Sequence, residues 1–259
     1  VEMRAEGRVI AQVISCLLFG VLAICLLRRD RLLSFFVWRP LYVKEALKFG
    51  VPLVPHMSSA FLIGSIDRIV INKQLGIAEA GIYMVAIQLA GVADLIFDAI
   101  NKAYVPWLYE RLKRDEINDK ILIVRGTYLW FAFLAICGLI VAAVGPFIVF
   151  MMAGAKYQVA GRVLRWLIVG QIFNGMYYMV TNYIFYSKRT SVLSIVTFSS
   201  GLINFGLLLW LVKTYGTVGA GMAYCMSATI QFVFTWVAAN RMHPMPWTSW
   251  RLIWTGEVV

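Results

Sequence analysis

The chain reads as an all-α, polytopic membrane helix bundle of about seven spans. Three observations predict that class: its composition, the length of its apolar runs, and the alternation of its basic residues from side to side. Of 259 residues, 61% are hydrophobic and 14% charged, against roughly 45–50% and about 25% in ordinary soluble domains. A soluble fold cannot hide that much apolar surface. The apolar residues fall in runs of about 18–25, the length a helix needs to cross a ~30 Å hydrocarbon layer.

The spans are predicted at 9–27, 49–72, 81–102, 121–144, 162–186, 191–212 and 218–239. Arg28, Arg29, Arg31, Arg39, Lys44 and Lys48 follow the first, and Lys73 alone follows the second. Arg111, Lys113, Arg114 and Lys120 follow the third, and Lys156 precedes the fifth. Lys188 and Arg189 follow the fifth, Lys213 follows the sixth, and Arg241 and Arg251 lie past the seventh. By the positive-inside rule the rich loops are cytoplasmic. The start is then outside, where Arg4 and Arg8 fit less well, and the C-terminus is cytoplasmic.

Three segments follow from this layout: 1–48, a span and a basic cytoplasmic linker; 49–240, a six-helix bundle; and 241–259, a cytoplasmic tail. No connection is long enough for a soluble domain, so function is expected inside the bundle. The first residue is Val, and no signal-peptide pattern follows it, so the chain is expected to be the later part of a longer protein.

The net charge of +11 reads as topology, not as a nucleic-acid surface. Cys16, Cys25, Cys137 and Cys225 sit singly in apolar segments, and His56 and His243 are far apart. Neither a disulfide framework nor a metal site is predicted. Trp38, Trp107, Trp166, Trp247 and Trp250 lie near span ends, where such rings prefer the interface. Gly216, Gly219 and Gly221, with Ala220, Ala223 and Ser227, allow close helix approach.

The informative positions are polar ones within spans, because a charge at mid-membrane costs about 2.5–3.5 kcal/mol on insertion scales. In the third span Gln88, Gly91, Asp94, Asp98, Asn101 and Lys102 recur every three or four residues, on one helical face. Asp98 and Lys102, at i and i+4, can neutralise each other as a structural pair. Asp94 has no basic neighbour at that spacing. Asp94 or Asp98 is expected to couple transport to an H⁺ or Na⁺ gradient, with no other cofactor. In the second span Pro52 and Pro55 predict a kinked, cavity-lining helix. Its Asp67 and Arg68 read either as an interfacial pair or as part of the cavity. Arg125, Arg162 and Arg165 are ordinary interface anchors singly. Together with Arg68 and Lys102 they predict a cationic lumen for an anionic cargo.

The wording of the chain then matters. Phe49-Gly50-Val51-Pro52-Leu53-Val54-Pro55, Ile66-Asp67-Arg68, Leu75-Gly76, Ala80-Gly81-Ile82-Tyr83, and Asn101 with Pro106 and Tyr109 come in order. Asn204, Tyr215-Gly216 and Val218-Gly219-Ala220-Gly221-Met222-Ala223 follow later. This series resembles Wzx-type polysaccharide flippases of the multidrug/oligosaccharidyl-lipid/polysaccharide exporter superfamily. The resemblance implies twelve helices in two bundles around a cavity, of which these spans are the sixth through twelfth. It implies a bacterial inner-membrane protein that flips undecaprenyl-diphosphate-linked oligosaccharide by alternating access, with membrane lipids, a polysaccharide polymerase and chain-length proteins as partners. By resemblance Asp67 and Arg68 match that family's Asp-Arg pair, and Asn101 and Pro106 its helix-end pattern; Asp67, Arg68 and Asn101, with Lys102, Arg125 and Arg165 of the cationic lumen, are expected to contact cargo. A peptidoglycan-precursor or drug exporter, a membrane enzyme of polysaccharide assembly and a non-transporting scaffold stay open as alternatives.

Overall fold

The computed structural model describes residues 6–32, 39–154 and 158–248, and every regular element among them is helical. In chain order these are α1 (Glu6–Arg29), α2 (Pro40–Gly50), α3 (Leu53–Gly64), α4 (Ile66–Leu75), α5 (Ile77–Arg114), α6 (Ile117–Ala153), α7 (Gln158–Tyr186), α8 (Thr190–Tyr215) and α9 (Thr217–Met242). The chain divides into two compact units, Val1–Ala46 and Leu47–Val259. Arg4, Trp38, Lys156, Trp250 and Arg251, and the side chain of Arg8, lie outside what is described.

In the first unit, α1 ends on Arg28 and Arg29. Its large apolar side chains are exposed, the surface that a lipid-facing helix presents. In the second unit α7 is central and packs against α5, α6 and α9, while α8 packs against α3 and α9.

Among the described residues six stretches are long and apolar enough to cross a membrane: Ile10–Arg29, Pro40–Leu75, Ile77–Arg114, Ile117–Met151, Thr190–Tyr215 and Thr217–Met242. The chain is therefore a multi-pass membrane protein. The remaining predicted span is α7. Its 29 residues reach ~43 Å at 1.5 Å per residue, so length is no obstacle. Gln171, Asn174, Thr181 and Asn182 dilute its apolarity. Neighbouring helices shield α7 from lipid, which is why it can carry them.

The predicted second span is not one kinked helix. It breaks between α2 and α3 around Val51 and Pro52, and again at Ser65 between α3 and α4. Breaks free backbone carbonyls, which membrane interiors tolerate only where protein or water satisfies them. Here α8 supplies the donors. Thr190 Oγ1 donates to the Phe49 carbonyl at 3.2 Å, Ser194 Oγ to that of Pro52, and Asn204 Nδ2 to that of Leu62 at 2.8 Å. Gly201 permits the close approach, since a Cβ there would stand 3.2 Å from Leu62 Cβ.

Two apolar clusters bracket the bundle. One gathers Ile71, Tyr83, Ala86, Val163, Leu167 and Leu211. The other gathers Leu108, Ile123, Val180, Ile184, Leu193 and Phe232. On both α5 and α7, polar residues occur between the positions given to the two clusters.

Trp247 corrects an expectation. It is not an interface anchor but is 7% exposed, because the chain after α9 turns back over the bundle. Tyr128 Oη donates to its carbonyl at 2.8 Å, and its ring meets Trp236 edge-on.

Candidate functional site

A cavity of about 520 Å³ opens in the second unit. The broken helix contributes His56, Ser59 and Arg68; α5 contributes Gly91, Asp94 and Asn101; α7 contributes Gln171, Asn174, Tyr178 and Asn182; α9 contributes Tyr224 and Gln231. The volume lies within the ~300–1,000 Å³ range of small-ligand sites.

Its wall is a hydrogen-bonded lattice between α5 and α7. Asp94 Oδ1 accepts from Asn174 Nδ2 at 2.7 Å and from Tyr178 Oη at 3.0 Å. Asn174 Nδ2 also lies 3.2 Å from Gln171 Oε1. One level along, Asn182 Nδ2 donates to Asn101 Oδ1 at 2.8 Å. On the facing wall, His56 Nδ1 is 2.9 Å from Thr197 Oγ1 of α8. The carboxylate of Asp94 is thus met by neutral donors, which orient it without neutralising it.

Of the residues the sequence singles out, Arg68, Gly91, Asp94 and Asn101 line this cavity. Asp67 is 2% exposed and is not among the lining residues. Its carboxylate accepts from Tyr83 Oη and, at 2.7 Å, from the backbone N–H of Arg68, so it fastens the first turn of α4 to α5. A carboxylate also suits that position beside the positive end of the helix dipole.

The predicted stripe on α5 splits for a geometric reason. At 100° per residue, Asp98 lies about 40° and Lys102 about 80° around the helix from Asp94. Lys102 Nζ pairs with Asp98 Oδ2 at 2.6 Å on the exposed flank, as the structural reading of that pair has it. Arg125 sits on α6, and no α6 residue is among those lining the cavity. Arg165 is exposed and lies nine residues from Asn174, which puts it about 180° away around α7. The expected cationic lumen is therefore not assembled on this bundle. Among the lining residues Arg68 and Asp94 are the charged ones, one of each sign.

The polar lining of α7 escaped the sequence reading. Gln171, Asn174, Tyr178, Thr181 and Asn182 follow the same three-and-four spacing that marked the third span. The same rule applied to α7 finds them.

At the basic end of the bundle, Asp115, between the Ile77–Arg114 and Ile117–Met151 stretches, pairs with Lys120 Nζ at 2.7 Å. The ammonium's hydrogen bond and charge hold the Asp115 carboxyl below its usual value. Burial, helped by Lys120, lowers the pKa of His243, with Asp115 opposing. Arg111 reaches Asp119 of α6 and lies over the Trp107 ring, 4.6 Å from its centroid.

Comparison with known proteins adds a biological setting. Residues 5–111 match the family described as polysaccharide biosynthesis protein. The chain is 28% identical over 172 residues to Lsg locus putative protein 1 of Haemophilus influenzae, covering 65% of this chain and 42% of that protein. It is similar to polysaccharide biosynthesis proteins. An uncharacterized membrane protein of the same organism is 27% identical over 217 residues, 81% of this chain and 52% of its own length. Amylovoran biosynthesis protein AmsL of Erwinia amylovora is 24% identical over 160 residues, 58% of this chain and 41% of that protein. The chain thus spans about half the length of these relatives or less. No solved structure matches it significantly.

Proposed function

We propose that this chain forms one bundle of a flippase-type transporter. The transporter moves undecaprenyl-diphosphate-linked oligosaccharide across the bacterial cytoplasmic membrane by alternating access, for surface lipopolysaccharide or exopolysaccharide. The carrying observation is a polar cavity walled by α3, α4, α5, α7 and α9 inside an otherwise apolar bundle. A sugar head loses its hydration on entering hydrocarbon, at a cost of several kcal/mol per unsatisfied polar group. A hydrated, hydrogen-bonding cavity lowers that cost, and the prenyl tail stays in the bilayer.

Arg68 is exposed and lines the cavity. A guanidinium offers bidentate donors to phosphate oxygens, so Arg68 is the residue assigned to the diphosphate. Asp94, met by neutral donors, is the residue assigned to an H⁺ or Na⁺ that compensates its charge during the cycle. The excess of Arg and Lys at the α5–α6, α7–α8 and α9 ends supports a cytoplasmic C-terminus.

The ion assignment is tested with the full-length protein in cells lacking their own flippase. Asp94→Asn is expected to keep normal membrane abundance, to export at least tenfold less surface polysaccharide, and to lose sensitivity to collapse of the ion gradient. Equal, gradient-sensitive export by wild type and variant removes Asp94 from coupling.

A further inference from the structure

The chemistry of the cavity wall distinguishes which part of the cargo it touches, an inference that rests on the transport reading above. A diphosphate linkage carries two negative charges. The wall offers one guanidinium, at Arg68, and one carboxylate, at Asp94. Beside Asp94 a dianion would meet a further negative charge, with one guanidinium in this wall to set against them.

We propose that the interior of this cavity binds the neutral, hydroxyl-bearing sugar head of the cargo, leaving the diphosphate to Arg68. A sugar hydroxyl both donates and accepts hydrogen bonds, and so does a carboxamide. Gln171, Asn174 and Asn182 place three carboxamides along α7. Two of them are fixed in orientation, Asn174 by donating to Asp94 and Asn182 by donating to Asn101. Donation through nitrogen still leaves each amide an oxygen that can accept from a sugar hydroxyl. Tyr178 adds an apolar ring with a polar tip, and its hydroxyl is already engaged with Asp94, so the ring is held in place for the C–H face of a sugar. Pre-oriented groups of this kind discriminate among glycans, because a glycan lacking the matching hydroxyl leaves a polar group unpaired.

The test uses the full-length protein in flippase-deficient strains that each build a different glycan on the same undecaprenyl diphosphate. Gln171→Leu and Tyr178→Leu, which remove a carboxamide and the ring, are expected to change the ratio of export between two accepted glycans by tenfold or more at equal membrane abundance. Arg68→Ala is expected to lower both by the same factor. An unchanged ratio in both cavity variants overturns the sugar assignment and leaves the flippase reading standing. Wild-type protein that exports no glycan in any host removes the flippase reading and this assignment with it. A measurement on unmutated protein in nanodiscs guards against variants that fold poorly. There, the phosphate-free repeat-unit oligosaccharide of the exported glycan is expected to bind saturably in titration calorimetry, and inorganic pyrophosphate is expected not to displace it. Displacement by pyrophosphate, or no saturable binding, contradicts the proposal.

Discussion

Helices α7 and α8 both carry polar side chains through the membrane, and they use them for opposite ends. On α8, Thr190, Ser194 and Asn204 donate to backbone carbonyls at or near the two breaks ahead of α3 and α4. On α7, Asn174, Tyr178 and Asn182 donate to side chains of α5 that line a cavity. The first set completes a fold and the second furnishes a surface. A polar residue in a span is therefore identified by its partner: a backbone carbonyl marks a structural bond, a cavity-lining side chain marks a site.

Replacement on the two helices should separate these roles, and the largest effect on stability is expected from α8. Asn204 is 2% exposed, donates to Leu62 O, and accepts from Ser227 Oγ at 3.0 Å. Asn204→Leu takes this donor from the Leu62 carbonyl, while Ser227 keeps its bond to the Ala223 carbonyl, at a cost of about 1–2 kcal/mol. A fall in the thermal midpoint and in membrane abundance checks this, and unchanged values would dissolve the distinction. On α7, Asn174→Leu removes a donor from Asp94, yet water in the cavity can replace it. Stability should change by less than about 1 kcal/mol while glycan export falls severalfold. A variant that unfolds would show α7 to be as structural as α8.

The smallest effect is electrostatic and lies at the basic end, outside both polar sets. His243 titrates below its usual value in the folded protein, through burial and Lys120. The unfolded chain therefore binds the proton more tightly, and stability falls with acidification. The contribution is fully present above about pH 6.5 and is lost as pH drops through the lower folded value. The thermal midpoint should decline slightly from pH 7 to pH 5, and less in His243→Phe. An equal decline in both proteins would assign it to other groups.

This contrast also explains what the sequence could tell. Apolar runs mark the six described stretches long enough to cross a membrane, because length and hydropathy are what the bilayer selects. The path of α7 was legible from length alone, but its function was not, because attention to charge passes over Gln171, Asn174 and Asn182. Arg68, Asp94 and Asn101 were found because each lies on a polar stripe or beside a helix break. Lys102, Arg125 and Arg165 were not separable from them by residue type. Only the angle of each around its helix, or the helix it sits on, places it away from the cavity. The break at Ser65 carries no proline, and its stabilising partner, Asn204, is 139 residues away in the chain. Local sequence does not announce it.

The most direct test of this account compares two cations that the sequence treats alike. Arg68 lines the cavity, whereas Lys102 is exposed and paired with Asp98. In full-length protein expressed in flippase-deficient cells, Arg68→Ala should reduce surface polysaccharide at least tenfold, and Lys102→Ala should leave it near wild type at matched abundance. Loss of export with Lys102→Ala and its retention with Arg68→Ala would contradict the cavity as the route of transport.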